Sequence, residues 1–370
     1  MLSVVKIDLS AIEHNIQQYR NLVGDKVKIM GIVKSNAYGH GLDKVSEFIA
    51  DKVDMIGAVN LNEVITLIKK NIKANFFILS FWDLNNDEYL KLAINNNVSF
   101  PVYRQEMIEK LNNLAAELKT KANVYLKIDT GAGRIGILSQ QVDEYLELLK
   151  KAKHLNFKGV YSHFASSEEN FEYTEKQLEK FNNIKSKIDK EIAGLEYHFA
   201  CSAASFVVDD KARFDMIRLG IGMYGLWPDK SLKPHFGHKV KLKPALSWES
   251  KFIHIKKVPA NSYIGYGNTY KTKRETLLGV LPIGYWDGYD RKLSNTGEVV
   301  VQGVKCPVLG RICMNLTMVD LTDVNEVTYN DKAILLGEGQ SAEEFADKIG
   351  TINYEAVTRI NAEIPRTYLS

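Results

Sequence analysis

Lys28-Ile29-Met30-Gly31-Ile32-Val33-Lys34-Ser35-Asn36-Ala37-Tyr38-Gly39-His40-Gly41 is the stretch from which the architecture can be read. Its first five residues form a short apolar run, the pattern of a buried strand. A glycine-bracketed turn follows, and Leu42-Asp43-Lys44-Val45-Ser46-Glu47-Phe48-Ile49 then has the spacing of an amphipathic helix. Lys34 sits where the strand ends and the turn begins, so its amine is held rigidly and opens onto a crevice. One lysine at a strand end has an ordinary explanation as surface charge. It becomes informative only through what surrounds it.

The strand-turn-helix unit recurs. Asp8-Leu9-Ser10-Ala11-Ile12-Glu13 is a capped helix start, with apolar positions at Ile12, Ile16 and Tyr19. The strands expected after it are Lys28–Lys34, Met55–Val59, Phe76–Ser80, Val98–Tyr103, Asn123–Asp129, Phe157–Phe164, Glu196–Ser202 and Met216–Gly225. Helical patterns such as Gln105–Leu118, Val142–Leu149 and the long charged segment 175–192 lie between them. Regular alternation of eight strands with helices predicts an α/β protein built on a (β/α)8 TIM-type barrel, with an open doubly wound sheet as the alternative. After Trp227-Pro228 the character changes. Lys233 to His238 reads as a connector. Short β-type runs follow at Ser247–Lys256, Thr276–Pro282, Glu298–Val304 and Met318–Leu321, and then two helices at Ser341–Ile349 and Tyr354–Ile360. The expected organisation is a barrel over 8–228 and a C-terminal mainly β domain over 229–370, joined by an amino-terminal strand at 1–7.

Composition narrows the function. The 370 residues are 45% hydrophobic and 25% charged, with a formal charge of +3, an ordinary globular balance. No dense basic block stands out beyond Lys239 to Lys243, which reads as a solvated linker, so nucleic acid is not an expected partner. Met1-Leu2-Ser3-Val4-Val5-Lys6-Ile7-Asp8 lacks a signal peptide's apolar core, and no later run has the length to span a bilayer. Cys201, Cys306 and Cys313 form no disulfide or metal framework, which fits a reduced cytoplasm and no metal.

In a barrel, reactive groups lie at the carboxyl ends of the strands. Lys34, Lys127 with Asp129, His163, Ser202 and Arg218 all fall there, with Arg134 in the loop after the fifth strand. Each has an easy structural explanation alone; their convergence on one rim is the argument. Gly220-Ile221-Gly222 offers backbone N–H groups without obstructing side chains. With the Ser202 hydroxyl it forms a plausible phosphate cup, near the last strands where barrels commonly bind phosphate.

The turn Val33 to Gly41 resembles the attachment site of pyridoxal 5'-phosphate (PLP) in alanine racemases. Tyr125-Leu126-Lys127-Ile128-Asp129-Thr130-Gly131-Ala132-Gly133-Arg134-Ile135-Gly136 is similar to that family's second signature. Ser162-His163-Phe164-Ala165, Cys201-Ser202-Ala203-Ala204, Arg218-Leu219-Gly220-Ile221, Gly265-Tyr266-Gly267, Pro282-Ile283-Gly284-Tyr285 and Gly310-Arg311-Ile312-Cys313-Met314 continue the likeness in order. The resemblance implies a fold type III PLP enzyme, a homodimer with shared active sites, interconverting L- and D-alanine to supply D-amino acid for peptidoglycan. It implies that Lys34 carries the cofactor and that Tyr38 contacts its phosphate, with Ser202, Gly220 and Ile221 in the phosphate cup. Lys34 and Tyr266 of the partner subunit become two bases on opposite faces of Cα. Two are needed because one base cannot easily serve both faces. A phenol with pKa of about 10 needs a neighbour to work near neutral pH, and His163, linked to Arg218, takes that part. Arg218 faces the pyridine nitrogen. Arg134 and the Met314 N–H hold the substrate carboxylate, Lys127 matches a carbamylated lysine, and Tyr285 and Arg291 line the entrance.

Three positions depart from the family pattern. Ala362 stands where a tyrosine usually precedes Val-Pro-Arg, Asn315 where an aspartate follows Cys-Met, and Cys201 where an asparagine precedes Ser-Ala-Ala. Ala362 leaves room for a side chain larger than methyl, so a serine or broader-range racemase is the second expectation. An amino-acid decarboxylase on a similar scaffold is a third. The Arg134 carboxylate clamp and the Tyr266 pairing argue against it. A non-catalytic PLP-binding barrel, a fourth, would lack the second domain.

Overall fold

The computed structural model describes residues 2–208 and 212–370. They divide into two units: Glu13–Ala37 with Leu42–Leu242, and Met1–Ile12 with Tyr38–Gly41 and Lys243–Ser370. The first strand, β1 (Ser3–Asp8), belongs to the second of these. The next eight close on themselves: β2 (Lys28–Ile32), β3 (Met55–Asn60), β4 (Phe76–Phe81), β5 (Ser99–Val102), β6 (Ala122–Lys127), β7 (Leu155–Tyr161), β8 (Glu196–Cys201) and β9 (Met216–Leu219). Neighbours run parallel, and β9 returns to β2 with Met216 opposite Lys28 and Arg218 opposite Met30. The expected barrel is present.

Strands covered on both faces read as nearly continuous apolar runs, and β5 is buried throughout. The interior is aromatic. Phe77 meets Tyr125 at 5.0 Å and Tyr161 at 5.3 Å between ring centres, and the His198 ring stacks on Tyr161 at 4.8 Å. The first helix, Leu9–Val23, starts where the Asp8 carboxylate accepts from the Ala11 N–H at 3.0 Å, and it buries Ile12, Ile16 and Tyr19 as its spacing predicts.

Several strands end earlier than expected. β2 stops at Ile32, before Lys34, because the backbone turns left-handed after the lysine. β7 stops at Tyr161, and the Ser162 hydroxyl donates sideways to the Ile128 carbonyl at 2.8 Å. β9 stops at Leu219. Gly220 breaks the extended backbone, and a 3-10 turn, Ile221–Tyr224, takes the place of the strand's expected second half.

In the β-rich unit, β10 (Leu246–Lys251) and β11 (His254–Val258) divide the single run expected at Ser247–Lys256. The chain leaves one sheet for another at Phe252-Ile253. The remaining strands are β12 (Tyr263–Ile264), β13 (Tyr270–Lys271), β14 (Thr276–Leu281), β15 (Glu298–Val301), β16 (Val304–Pro307), β17 (Thr317–Asp320), β18 (Lys332–Leu336) and β19 (Arg366–Leu369). They form sheets in the orders β16-β15-β18-β10-β1-β19, β11-β14-β17 and β12-β13. Glu298–Val304, expected as one strand, is a hairpin. Gln302 and Gly303 both have positive φ, as a type I′ turn requires. Lys233 to His238, expected as a connector, contains the short helix Leu232–Phe236. Ile264, Leu278, Leu309 and Met318 pack into one core, and Trp248, Tyr289 and Phe345 into an aromatic chain.

Candidate active site

Lys34 begins a turn of unusual hand. Ser35, Asn36, Ala37 and Tyr38 all have φ between 52° and 56°, and the Ala37 N–H donates to the Val33 carbonyl at 2.8 Å. A left-handed turn of L-residues drives Cβ toward the next carbonyl and costs about 1–2 kcal/mol per residue. Such conformations persist only where the surroundings over-determine them. Lys34 itself is half-buried. Burial and the charges of Arg134 and Arg218 lower its amine below the ordinary lysine pKa, with Cys201 and Glu63 opposing.

The register of the barrel carries the next group. Tyr161 lies opposite Lys127, and Arg218 opposite Cys201. Arg218 is buried and bonds to no carboxylate among the described residues. Its Nη1 donates to His198 Nδ1 at 2.9 Å and to the His198 carbonyl at 3.2 Å. Its Nη2 donates to the Ser162 carbonyl at 2.8 Å, the Phe199 carbonyl at 2.9 Å and His163 Nδ1 at 2.9 Å. Both terminal nitrogens are thus committed. Nε has no acceptor among the described residues. Burial first, and Arg134 after it, pushes the guanidinium down to about 10, still protonated at neutral pH.

Arg218 cannot accept a hydrogen bond, so both histidines must present a bare Nδ1 and carry their proton on Nε2. Burial, followed by the charges of Arg218 and Lys127, holds both imidazoles well below the usual histidine pKa. Both are neutral. His198 was not singled out from the sequence, although a lone polar residue inside the apolar run Tyr197-His198-Phe199 was a readable signal.

Lys127 is buried with its Nζ 4.4 Å from the Tyr161 ring centre. Burial and then Arg218 and Arg134 drive its amine far down. Asp129 shapes the loop that follows. Its Oδ1 accepts from the N–H groups of Gly131, Ala132 and Gly133, and its Oδ2 from Arg134 at 3.1 Å. Burial raises the carboxyl, but the four backbone donors outweigh it and the net shift is downward. Arg134 stands exposed at the end of this loop. Gln177, from the helix Phe171–Asp189, donates to Thr130 Oγ1 and to the His163 carbonyl. It ties the loop to His163, a role carried by no motif.

Ser202 is buried, and its Oγ accepts from the Gly220 N–H at 2.9 Å while keeping its own proton to donate. Ile221 opens the next turn, where no carbonyl of the described residues takes its N–H. Gly222 lies against the Tyr19 hydroxyl, and any Cβ there would collide with it. That accounts for one glycine of the pair without reference to a ligand.

The other candidates lie in the β-rich unit. Tyr266 opens a 3-10 turn between Gly265 and Gly267, both at positive φ, and is 72% exposed. The Tyr285 and Trp286 N–H groups donate to the Cys313 and Met314 carbonyls at 3.1 and 3.0 Å, so Tyr285, Met314 and Asn315 share one exposed neighbourhood. The Asn361 amide donates to the Trp286 carbonyl at 3.3 Å, which brings exposed Ala362 there too. Arg366, which ends the stretch matched to Val-Pro-Arg, donates to the carbonyls of Gly39, Asn361 and Ile364. It ties the Tyr38 turn to the Ala362 loop, and the Tyr38 ring lies 6.1 Å from that of Tyr354. Arg291 opens the turn Arg291–Leu293, and its charge acts on Cys313, the residue before Met314.

Residues 7–228 match the model of the alanine racemase N-terminal domain, and residues 245–368 that of the C-terminal domain. The chain belongs to the alanine racemase family. It is 34% identical to alanine racemase 2 of Caldanaerobacter subterraneus subsp. tengcongensis over 372 residues, 99% of this chain and 94% of the relative. The alanine racemase of Methanococcus maripaludis is also 34% identical, covering 98% of each. Among solved members of the family, the Clostridium difficile 630 alanine racemase aligns over 100% of this chain and 96% of its own, with TM-score 0.93 and 33% identity. The Bacillus anthracis alanine racemase with bound L-Ala-P aligns with TM-score 0.91 and 32% identity, over 100% and 95% of the two chains. No helix among the described residues is long and apolar enough to cross a membrane, and no group of metal-ligating side chains is present among them.

Proposed function

We propose that this protein is an isomerase that interconverts L- and D-alanine, with PLP as cofactor and Lys34 and Tyr266 of the partner subunit as the two bases. The observation that carries the reading is Lys34 itself, placed two residues past the end of β2 at the head of a left-handed turn, its amine lowered by burial, Arg134 and Arg218. A lowered amine is unprotonated more of the time, which is the form that attacks a carbonyl or takes a proton.

The remaining residues fit that cofactor. Ser202 keeps an O–H and Ile221 an N–H for a phosphate, with Gly220 bracing the serine and Tyr38 a further contact. Arg218 keeps Nε–H for a ring nitrogen. PLP, when bound, supplies the electron sink that acidifies Cα–H. Arg218 would hold the ring nitrogen as a donor that does not give up its proton, which would limit that sink and disfavour transamination. Lys34 moves the proton on one face of Cα and Tyr266 on the other. His163, neutral with its proton on Nε2, is the relay partner for the phenol. Arg134 and the Met314 N–H hold the carboxylate, and Tyr285 and Arg291 shape the entrance. Lys127, a buried amine lowered by burial, Arg218 and Arg134, is suited to take up CO2 as a carbamate that orients Arg134, with a proton released. The exposure of Tyr266 and Met314 supports a homodimer in which one copy's phenol completes the other's site. The setting is the cytoplasm, and the product D-alanine serves peptidoglycan.

Serine is the second substrate. Ala362 and Asn315 put a small and a polar side chain on the neighbourhood of Met314, where a hydroxymethyl needs space and a partner. Initial rates on L-alanine, L-serine and other L-amino acids, followed by loss of optical rotation, test both readings. Alanine racemisation with appreciable serine turnover is expected, and Ala362→Tyr lowers the serine-to-alanine ratio, a discrimination of about 10–200-fold at most for one small group. No racemisation of either amino acid contradicts the proposal.

A further inference from the structure

Glu63 reaches the turn that follows Lys34. It lies in the first turn of the helix Leu61–Lys69, and its own N–H is capped by Asn60 Oδ1 at 3.0 Å. The carboxylate is divided between two backbone donors. Oε2 accepts from the Val59 N–H in β3 at 2.8 Å, and Oε1 accepts from the Ser35 N–H at 2.7 Å. Ser35 directly follows Lys34 and is the first of the four left-handed residues. Asn36 Oδ1 holds the far side by accepting from the Leu42 N–H at 2.9 Å. Helix capping accounts for an N3 carboxylate that reaches back to Val59, but it gives no reason for the second oxygen to reach Ser35.

L-residues leave the left-handed region unless they are held there. The backbone of Ser35 fixes the direction in which the Lys34 side chain departs, so whatever holds Ser35 aims the amine. We propose that Glu63 is a positioning residue, whose carboxylate ties the left-handed turn to β3 and so sets the aim of Lys34 toward cofactor and substrate. The proposal rests on the PLP reading of Lys34 given above. Glu63 also supplies a negative charge facing the lysine, opposite in sign to Arg134 and Arg218.

The test uses the cofactor-loaded enzyme and two variants. Glu63→Gln keeps the size but turns one acceptor into a donor facing an N–H. Glu63→Asp keeps the charge but is one methylene too short to span both donors, and it carries the test alone should the glutamine variant fail to fold. Hydrogen exchange with mass spectrometry reads the peptide spanning 33–41. Borohydride fixation with peptide mapping reads how fully Lys34 carries the cofactor, and steady-state kinetics separate kcat from KM. The expected result is faster exchange confined to that peptide and the one that holds Val59, less label on Lys34, and kcat lower on the order of 10²-fold with KM little changed. The aspartate variant falls between glutamine and wild type. Exchange, labelling and kcat all unchanged overturn the proposal, and so does exchange that rises evenly through the barrel, which makes Glu63 merely structural. Label on a lysine other than Lys34 in the wild type marks failure of the PLP reading instead.

Discussion

Arg218 Nη2 lies 2.9 Å from His163 Nδ1, and since a guanidinium only donates, the imidazole must be neutral with its proton on Nε2. The same arginine imposes the same tautomer on His198. One buried cation therefore fixes the protonation of two rings and satisfies three carbonyls besides.

Arg218→Lys should be far from conservative. An ammonium is a point donor with three protons and cannot cover acceptors spread across a planar fork. Each buried acceptor left without a partner costs about 1–3 kcal/mol. Urea unfolding should show a loss of that order alongside a large fall in kcat. Unchanged stability contradicts the network as described.

His198 makes stability depend on pH in a stated direction. Its folded pKa is depressed below the ordinary 6.5 by burial and then by Arg218 and Lys127. Below that value the unfolded chain takes up a proton that the folded chain refuses. Stability therefore falls as pH drops from the unfolded pKa toward the folded one, by about 1.4 kcal/mol per unit for this one group. His198→Gln, whose Oε1 can still accept from Arg218, should flatten the slope measured by urea unfolding between about pH 7 and 5. An identical slope in the variant contradicts the assignment.

Lys127 should bind CO2. Its amine is buried, lowered well below the ordinary lysine value, and set near Arg134 and Arg218, which favour the anion formed. Addition of labelled bicarbonate should produce a carbamate carbon resonance that Lys127→Ala abolishes. The absence of such a resonance in the wild type contradicts the expectation.

The barrel was legible because buried parallel strands are nearly continuous apolar runs, and eight of them alternate with helices. Strand ends were less so. Lys34, Ser162 and Gly220 all read as strand, but each sits where side-chain bonds or a left-handed turn stop the ladder. β12, β13, β18 and β19 lie outside the expected strands. β12 and β13 are two residues each, too short for a pattern, and β19, Arg366–Leu369, is half polar and held by pairing with β1. Motif-bearing residues at the site were readable. The residues that hold them were not, because Glu63, Gln177 and Arg366 act through distances that no linear spacing records.

A shared site has a complementation signature. Lys34→Ala and Tyr266→Phe each remove one base, and Tyr266 is offered on an exposed turn. Hybrid dimers of the two inactive variants contain one site with both bases, so activity should return after mixing. No recovery after confirmed subunit exchange contradicts the sharing.

The central claim is that Lys34 carries the cofactor, and borohydride fixation tests it most directly. The purified protein should be yellow, and reduction should leave pyridoxyl label on the single peptide that contains Lys34, with none retained in Lys34→Ala. Label on a different lysine, or a colourless protein that takes up no PLP, would contradict it.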